Sequence, residues 1–318
     1  MPSVSEPASI EEAEALLAAA SDSGQRVSIE REGGDVVVSM RRLDRVVEHA
    51  AGDLTATVEA GIRLSQLDAG LAEHGQMLAL DPPGDPTVGA CLAGNLSGPR
   101  RHRYGTARDL VLGVTVVLGE GTRANSGGKV VKNVAGYDLG KLCCGSRGTL
   151  GLIVRVSLRL HPRPRTARTL VAPAETPAEV WRLTRELHRS TLVPSAVDVL
   201  WGTLQQSVAK SPGRLALLLE GNEAAVEAQL GVARALLGGR QDAEVWDEVA
   251  ERQQRAAGLV SFPPGELAGA LARMPEAIVR VGAGLAYVPE PGAAIDDAPV
   301  RRLNERIRRQ FDPKGVFV

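Results

Sequence analysis

Aromatic side chains are scarce in this chain: three each of Trp, Tyr and Phe among 318 residues, 3% of the whole. Any core must therefore be packed from Ala, Val and Leu, because the rings are too few to fill it. Cysteine is nearly absent as well. Cys91, Cys143 and Cys144 provide neither a disulfide framework nor zinc-ligand spacing, so a reducing, cytoplasmic setting is expected. Apolar runs such as residues 215–219 fall far short of the ~20 residues that cross a bilayer as a helix. Glu6, Glu11, Glu12 and Glu14 stand where a signal peptide needs an apolar stretch, and no leader is expected. A bias of charge is also missing. The 37 Lys and Arg against 38 Asp and Glu leave a net charge of -1, which argues against the basic footprint of a nucleic-acid binder. The basic runs at residues 100–103 and 301–309 read as solvated faces.

What is present is enough length and apolar content for two domains. The chain is 44% hydrophobic and 24% charged, ordinary values for a globular protein. Ser9-Ile10-Glu11-Glu12 reads as a capping box opening a helix to about Ala20. Strands are expected at residues 27–30 and 36–40, joined by the short loop 31–35, and another at 54–59, where apolar and polar residues alternate. Leu64, Leu67 and Leu71 fall at helical spacing with Gly75 as cap, giving a small βαββ lobe and its continuation. The Gly- and Pro-rich passage 81–105 reads as a long irregular loop, a feature that is usually functional. Gly119-Glu120-Gly121 predicts a hairpin between strands 110–118 and 122–126. Residues 152–160 alternate as a strand that ends at His161-Pro162-Arg163-Pro164, which places a domain boundary there. Beyond it helix and strand alternate. Thr176-Pro177-Ala178-Glu179 caps a helix, strands are expected at 196–200, 215–220 and 278–281, and helices at 223–237 and 300–311. The fold class is α+β: a first domain over 1–162 and a smaller, ferredoxin-like α+β domain over 163–318.

Several chemical motifs fail on inspection. Gly127-Gly128-Lys129 suggests a phosphate loop, but that motif needs Gly at the position of Arg123 and Ser or Thr at that of Val130. A GxGxxG opening a helix after the first strand is absent, which disfavours NAD. Adjacent Cys143 and Cys144 read as inert core residues. His49, His74, His102, His161 and His188 are scattered without a metal-ligand pair, so no metal is expected.

Four Gly-rich segments in series carry the stronger signal. The first runs Asp81-Pro82-Pro83-Gly84-Asp85-Pro86-Thr87-Val88-Gly89-Ala90-Cys91-Leu92-Ala93-Gly94-Asn95-Leu96-Ser97-Gly98. A pyrophosphate favours consecutive backbone N–H groups with no Cβ in the way, and Thr87, Asn95 and Ser97 add side-chain donors. The second is Tyr104-Gly105-Thr106-Ala107-Arg108-Asp109, leading into a strand. The third is Gly127 to Leu139, with Asn133-Val134-Ala135-Gly136-Tyr137-Asp138 at its centre. The fourth is Gly145-Ser146-Arg147-Gly148-Thr149-Leu150-Gly151-Leu152-Ile153. In order and spacing these resemble the FAD-binding oxidase/transferase type 4 (PCMH/VAO-type) domain, and most of all the FAD-binding E subunits of bacterial glycolate oxidase. Phe311-Asp312-Pro313-Lys314-Gly315-Val316-Phe317 is similar to that family's C-terminal signature.

The resemblance implies FAD as cofactor and places it residue by residue. Pro83, Thr87, Val88, Gly89, Gly94, Asn95 and Gly98 match the family's second pyrophosphate loop. Tyr104, Gly105 and Asp109 match its continuation along the flavin; an ion pair between Arg108 and Asp109 that orients the loop is an equal reading. Asn133, Gly136, Tyr137 and Asp138 match the segment beside the isoalloxazine, and Gly148, Thr149, Gly151 and Ile153 the stretch whose backbone meets the adenine. Leu150 and Leu152 are read as strand packing. The implied partners are a catalytic flavoprotein D subunit and an iron–sulfur F subunit, with glycolate or a related 2-hydroxy acid as the substrate of the complex. The inner membrane is reached, if at all, through that complex. Two departures from the family matter. Loop 31–35 replaces its first, Gly-Gly-Gly-Thr-like loop, and Glu32 and Asp35 would repel a pyrophosphate. After His161 only His188 remains, so no catalytic base is assigned here and the base is expected on a partner. The alternatives are a scaffold that has lost FAD and, disfavoured by the missing histidines, a self-sufficient dehydrogenase.

Overall fold

The computed structural model describes residues 2–128, 139–202, 213–291 and 298–318. The chain opens with strand β1 (Ser3–Ser5), helix α1 (Ile10–Ser23) and strands β2 (Val27–Ile29) and β3 (Val36–Val38), a βαββ unit. Ser9 caps α1 through its Oγ, which accepts from Glu12 N at 3.1 Å, and Glu12 Oε2 accepts from Ala8 N at 2.7 Å. The helix runs to Ser23, past the expected Ala20, because Gly24 at φ +68° is the first residue able to close it. Its face of Ile10, Ala13, Leu17 and Ala20 packs with Val27, Val36 and Val38. The sheet order is β1-β3-β2, with both pairings parallel.

The far end of the chain completes this lobe. Val27 N donates to Val316 O at 2.7 Å and Val318 N to Val27 O at 3.1 Å. Asp312 holds the turn in place, its two carboxylate oxygens accepting from Val316 N (2.8 Å) and Phe317 N (2.9 Å). Phe317 is fully buried beside Leu17 and Leu43.

A five-stranded antiparallel sheet follows, in the order β4-β5-β9-β7-β8. Its strands are β4 (Val46–Ala50), β5 (Thr55–Glu59), β7 (Val111–Val117), β8 (Arg123–Gly127) and β9 (Leu152–Arg159). The short strands β6 (Gln76–Met77) and β10 (His161–Pro162) pair separately. The expected hairpin is present as β7 and β8, paired from Val117↔Arg123 to Gly113↔Gly127. Alternation in β5 does not separate core from solvent as the pattern implies. Thr55, Thr57 and Glu59 are as buried as Ala56 and Val58, because both sides of the strand are covered. Thr57 hydrogen-bonds Ser157 at 2.9 Å, and Glu59 pairs with Arg45 at 2.8 Å.

Helix α2 (Leu64–Ala72) buries Leu67 and Leu71, as their spacing predicts. The passage 81–105 is more ordered than its composition suggests. It holds α3 (Val88–Gly94) and α4 (Arg101–Tyr104), and α5 (Ala107–Leu110) follows directly. Helices this short contain too few turns for periodicity to mark them. Helix α6 (Leu139–Cys143) precedes the Gly145–Gly151 turns into β9.

Residues 166–288 supply a seven-stranded antiparallel sheet, β14-β11-β13-β12-β16-β17-β15. Strand β11 (Thr166–Ala174), α7 (Pro177–Arg189), β12 (Ala196–Trp201), β13 (Gly213–Gly221), α8 (Glu223–Leu237) and β14 (Arg240–Gln241) form βαββαβ with the strand order of a ferredoxin-like unit. Strands β16 (Ala277–Arg280), β17 (Leu285–Val288) and β15 (Gly258–Ser261) widen it. Helices α7, α8 and α10 (Leu267–Arg273) cover one face and α9 (Val245–Arg255) the other. Helix α9 escapes a reading of the sequence because Val245 and Val249 are the only apolar residues it buries. Helix α11 (Ala298–Phe311) buries none of its side chains.

Candidate cofactor cleft

Between the three-stranded and five-stranded sheets lies a cavity of about 310 Å³, within the lower range of small-molecule sites. Its floor comes from α3 and the turn before β9. Thr87, Gly89, Gly94, Gly148, Gly151 and Ile153 all line it, so two segments sixty residues apart in sequence, the first and fourth Gly-rich segments, meet at one place. Ile29, Glu30, Arg31, Met40, Ala60, Ala90, Ala93, Arg147 and Leu152 complete the wall. Ala90, Ala93, Arg147 and Leu152 belong to the same two Gly-rich segments, while the sequence carried no site signal for Ile29, Glu30, Met40 and Ala60, which the ends of β2, β3 and β5 bring in.

The other candidates fall elsewhere. Val88, the first residue of α3, is fully buried in the core. Gly98 is packed so closely that a Cβ would stand 1.7 Å from Asp81 O, so glycine there serves the protein's own backbone. Pro83 and Thr149 do not line the cavity; Thr149 Oγ1 donates to Ser146 O at 2.7 Å. Asn95 closes α3 in the left-handed region at φ +46°, and its Oδ1 is buried with no partner among the described residues. Tyr104 sits in a separate cleft with its ring 4.8 Å from that of His161. Gly105 and Asp109 line a third cavity. The Asp109 carboxylate is occupied, accepting from Thr106 N (2.8 Å) and Oγ1 (3.0 Å); it caps α5 rather than pairing with Arg108. Asn133, Gly136, Tyr137 and Asp138 lie outside the described residues.

The donor set of the 310 Å³ cavity differs from the expected row of free amides. Val88 N donates to Ile62 O (2.9 Å), Gly89 N to Ala60 O (2.7 Å), Ala90 N to Thr87 Oγ1 (3.2 Å) and Cys91 N to Thr87 O (3.0 Å). The first four N–H groups of α3 are thus engaged within the protein. Nor do the acidic groups of loop 31–35 face the cavity. Asp35 turns back to accept from Arg26 N at 2.8 Å, and Glu32 is not in the wall. Glu30 is in the wall, with Oε1 accepting from Met40 N at 2.5 Å. Two guanidinium side chains, Arg31 and Arg147, stand at the same cavity. A glycine floor, apolar walls and two cations suit a flat, anionic ligand such as the ADP half of FAD, so the residues present fit the group.

A second polar region lies where the seven-stranded sheet meets α4. Arg100, expected as part of a solvated run, is half-buried and pairs with Glu220 at 2.6 Å. Its backbone N–H reaches Asp81 Oδ2 at 3.0 Å. Burial raises the Asp81 carboxyl above its usual range. Arg280 in β16 donates to Asp198 Oδ2 in β12 and to Gln253 Oε1, and Gln253 Nε2 donates to Ser97 O at 2.9 Å. Burial pushes the Asp198 carboxyl up to about 6, against the pull of Arg280. Asp198 and Arg280, with Arg101, His102, Asp109 and His188, line a cavity of about 390 Å³. The two histidines, 86 positions apart in sequence, therefore share one space, and burial followed by the charge of His188 lowers the pKa of His102.

Burial pushes the Cys91 and Cys143 thiols up to about 12 and about 11. Both stay protonated at neutral pH, as inert core residues do. No helix among the described residues is long and apolar enough to cross a membrane.

Residues 2–127 match the family described as "FAD binding domain". Glycolate oxidase subunit GlcE of Escherichia coli K12 is 33% identical over 310 residues, covering 86% of this chain and 83% of that protein. Glycolate oxidase subunit GlcD of Bacillus subtilis 168 is 32% identical over 169 residues, 52% of this chain and 36% of that one. A D-lactate dehydrogenase of Archaeoglobus fulgidus is 35% identical over 166 residues, 52% and 37%. The chain thus spans most of GlcE and little more than a third of the other two. Among solved structures, an alkyldihydroxyacetonephosphate synthase superposes with a TM-score of 0.73 over 98% of this chain and 75% of its own, at 16% identity, a likeness of fold alone. With a third of its residues identical across most of both chains, this protein belongs to the GlcE family of FAD-binding glycolate oxidase subunits.

Proposed function

We propose that this chain is the FAD-binding subunit of a glycolate (2-hydroxyacid) oxidase complex that converts glycolate to glyoxylate. One observation carries the reading: Thr87, Gly89 and Gly94 of one segment and Gly148 and Gly151 of another converge on a single cavity. In this reading residues 1–162 form the PCMH-type FAD-binding domain and 163–318 the FAD-linked oxidase domain. Thr87, Gly89, Gly94, Gly148, Gly151 and Ile153 hold the ADP half of FAD, while Gly105 and Asp109 lie toward its ring end. FAD, when bound, supplies an acceptor for the hydride that leaves the α-carbon of a 2-hydroxy acid.

Removal of the hydroxyl proton requires a positioned base. Among the described residues the wall of the ADP-half cavity carries Glu30 as its one carboxylate, and that group already accepts a hydrogen bond from the backbone. In this reading the base belongs to a catalytic flavoprotein D subunit, as the family resemblance implies, with an iron–sulfur F subunit receiving the electrons.

A second reading, a scaffold that holds no FAD, draws support from the engaged N–H groups at the start of α3. The visible absorption spectrum of the purified chain, taken after adding FAD and desalting, separates the two. Flavin bands that survive desalting are expected. A flat spectrum from the folded chain, confirmed by circular dichroism, would leave the scaffold reading standing.

A further inference from the structure

The turn between α6 and β9 contains an unusual residue. Arg147 adopts φ +53°, in the left-handed region that a side chain other than glycine rarely enters. Such an outlier persists only where its surroundings hold it, and these do. Arg147 N donates to Ala93 O at 2.8 Å, Gly145 N to Leu92 O at 2.9 Å, Ser146 N to Cys143 O at 3.1 Å and Thr149 N to Ser146 O at 3.1 Å. The turn is thus fastened to the end of α3. Arg147 lines the cavity and is exposed, and its guanidinium has no hydrogen bond or ion pair among the described residues.

The amides at the start of α3 and the other charged side chains at the cavity are already occupied. The first four N–H groups of α3 go to Ile62 O, Ala60 O and Thr87. Glu30 is bound to Met40 N, and Arg31 donates through Nη2 to Val318 O. A diphosphate needs positive charge or donors, and its charge-assisted bonds are the strong ones. Of the cavity's charged side chains Arg147 alone has no partner among the described residues.

Resting on the reading that this cavity takes the ADP half of FAD, we propose that Arg147 is the chief cationic anchor of the cofactor's diphosphate. It supplies from the turn before β9 what the short loop 31–35 does not supply from the other side. The guanidinium can meet two phosphate oxygens at once and keeps its charge at every working pH. The strained backbone at Arg147 aims that side chain before the ligand arrives, which limits the ordering that binding requires.

The test is a set of dissociation constants for the folded full-length chain. FAD is titrated by flavin fluorescence, and ADP and adenosine are measured by competition against it. Arg147→Gln is expected to weaken FAD and ADP about 10- to 100-fold, to leave adenosine unchanged, and to flatten the dependence of FAD affinity on salt. Arg147→Gly keeps the left-handed backbone while removing the charge, and the same losses are expected. Arg147→Lys is expected to retain part of the affinity. A wild-type chain that binds FAD, paired with an Arg147→Gln variant of equal affinity, overturns the anchor and leaves the cavity reading intact. Weak binding by Arg147→Gln with full binding by Arg147→Gly also overturns it, since backbone and not charge would be responsible. A wild-type chain that binds neither FAD nor ADP removes both the anchor and the reading beneath it.

Discussion

Two regions of this molecule are rich in arginine, and they use it in opposite ways. At the seam between α4 and the seven-stranded sheet, guanidinium groups are spent within the protein: Arg100 on Glu220, and Arg280 on Asp198 and Gln253. At the cleft beside α3 the floor is glycine, the walls are largely apolar, and Arg147 lines the cavity unpaired among the described residues. The seam is an internal polar network whose members have value mainly through one another, although Asp198 Oδ1 and Arg280 Nε have no partner among the described residues. The cleft leaves the charge of Arg147 to solvent, where it adds little to folding and stays open to a ligand. Buried pairing thus marks architecture here, and an aimed, unpaired cation marks function.

The seam breaks first. Arg280→Met strands the fully buried Asp198 carboxylate, and a loss of about 3–5 kcal/mol in unfolding free energy is expected in urea. Combining it with Asp198→Leu should recover most of that loss, because no lone charge then remains buried. Recovery only by the single-site reversion would mean that the two residues act separately.

The same pair sets a pH dependence. Asp198 has its folded pKa raised from 3.8 to about 6, so the native state holds that proton more tightly than the unfolded chain does. Its contribution is complete below about pH 4 and is lost as pH rises through about 6. Wild-type stability relative to Asp198→Asn should therefore fall by about 1–3 kcal/mol between these limits. Paired thermal melts across the range measure it, and a difference that stays level would contradict the shift.

At the cleft, Gly148→Ala should act on both folding and binding. Gly148 has φ +78°, and a Cβ there would come within 3.0 Å of Ile29 Cδ1 across the cavity. Backbone strain costs about 1–2 kcal/mol, and FAD affinity measured by fluorescence should fall as the space narrows. The smallest effect is expected from Gln253→Ala, which removes the link from Ser97 O to Arg280 for about 1 kcal/mol. Equal FAD affinity in that variant would keep the seam and the cleft separate.

Much of the architecture was legible in local chemistry. Ser9, Thr176 and Asn222 each accept an N–H from three residues ahead and start a helix, and the Gly119–Gly121 turn joins β7 to β8. Elements whose signal is weak escaped: α3 and α4 because they are short, α9 because a charged helix with two buried valines hides its periodicity. The solvated reading of residues 100–103 failed at Arg100 because no local pattern announces a partner such as Glu220, 120 positions away. The candidate site divides in the same way. Its glycines could be marked in sequence, but which of them face a cavity and which only admit a neighbouring backbone, as Gly98 admits Asp81 O, depends on what packs against them.

By itself the sequence determined the kinds of element, the Ala-, Val- and Leu-built core, the order of the Gly-rich segments and the resemblance to a family, because these rest on composition and on contacts a few residues long. Tertiary structure alone decided that the chain's last residues seal the first lobe, that the amides of α3 are already taken, that Asp35 turns away from the cleft and that Arg147 faces into it. Those outcomes depend on pairings across tens to hundreds of residues, and nothing local in the chain encodes which distant group will meet a given N–H or charge.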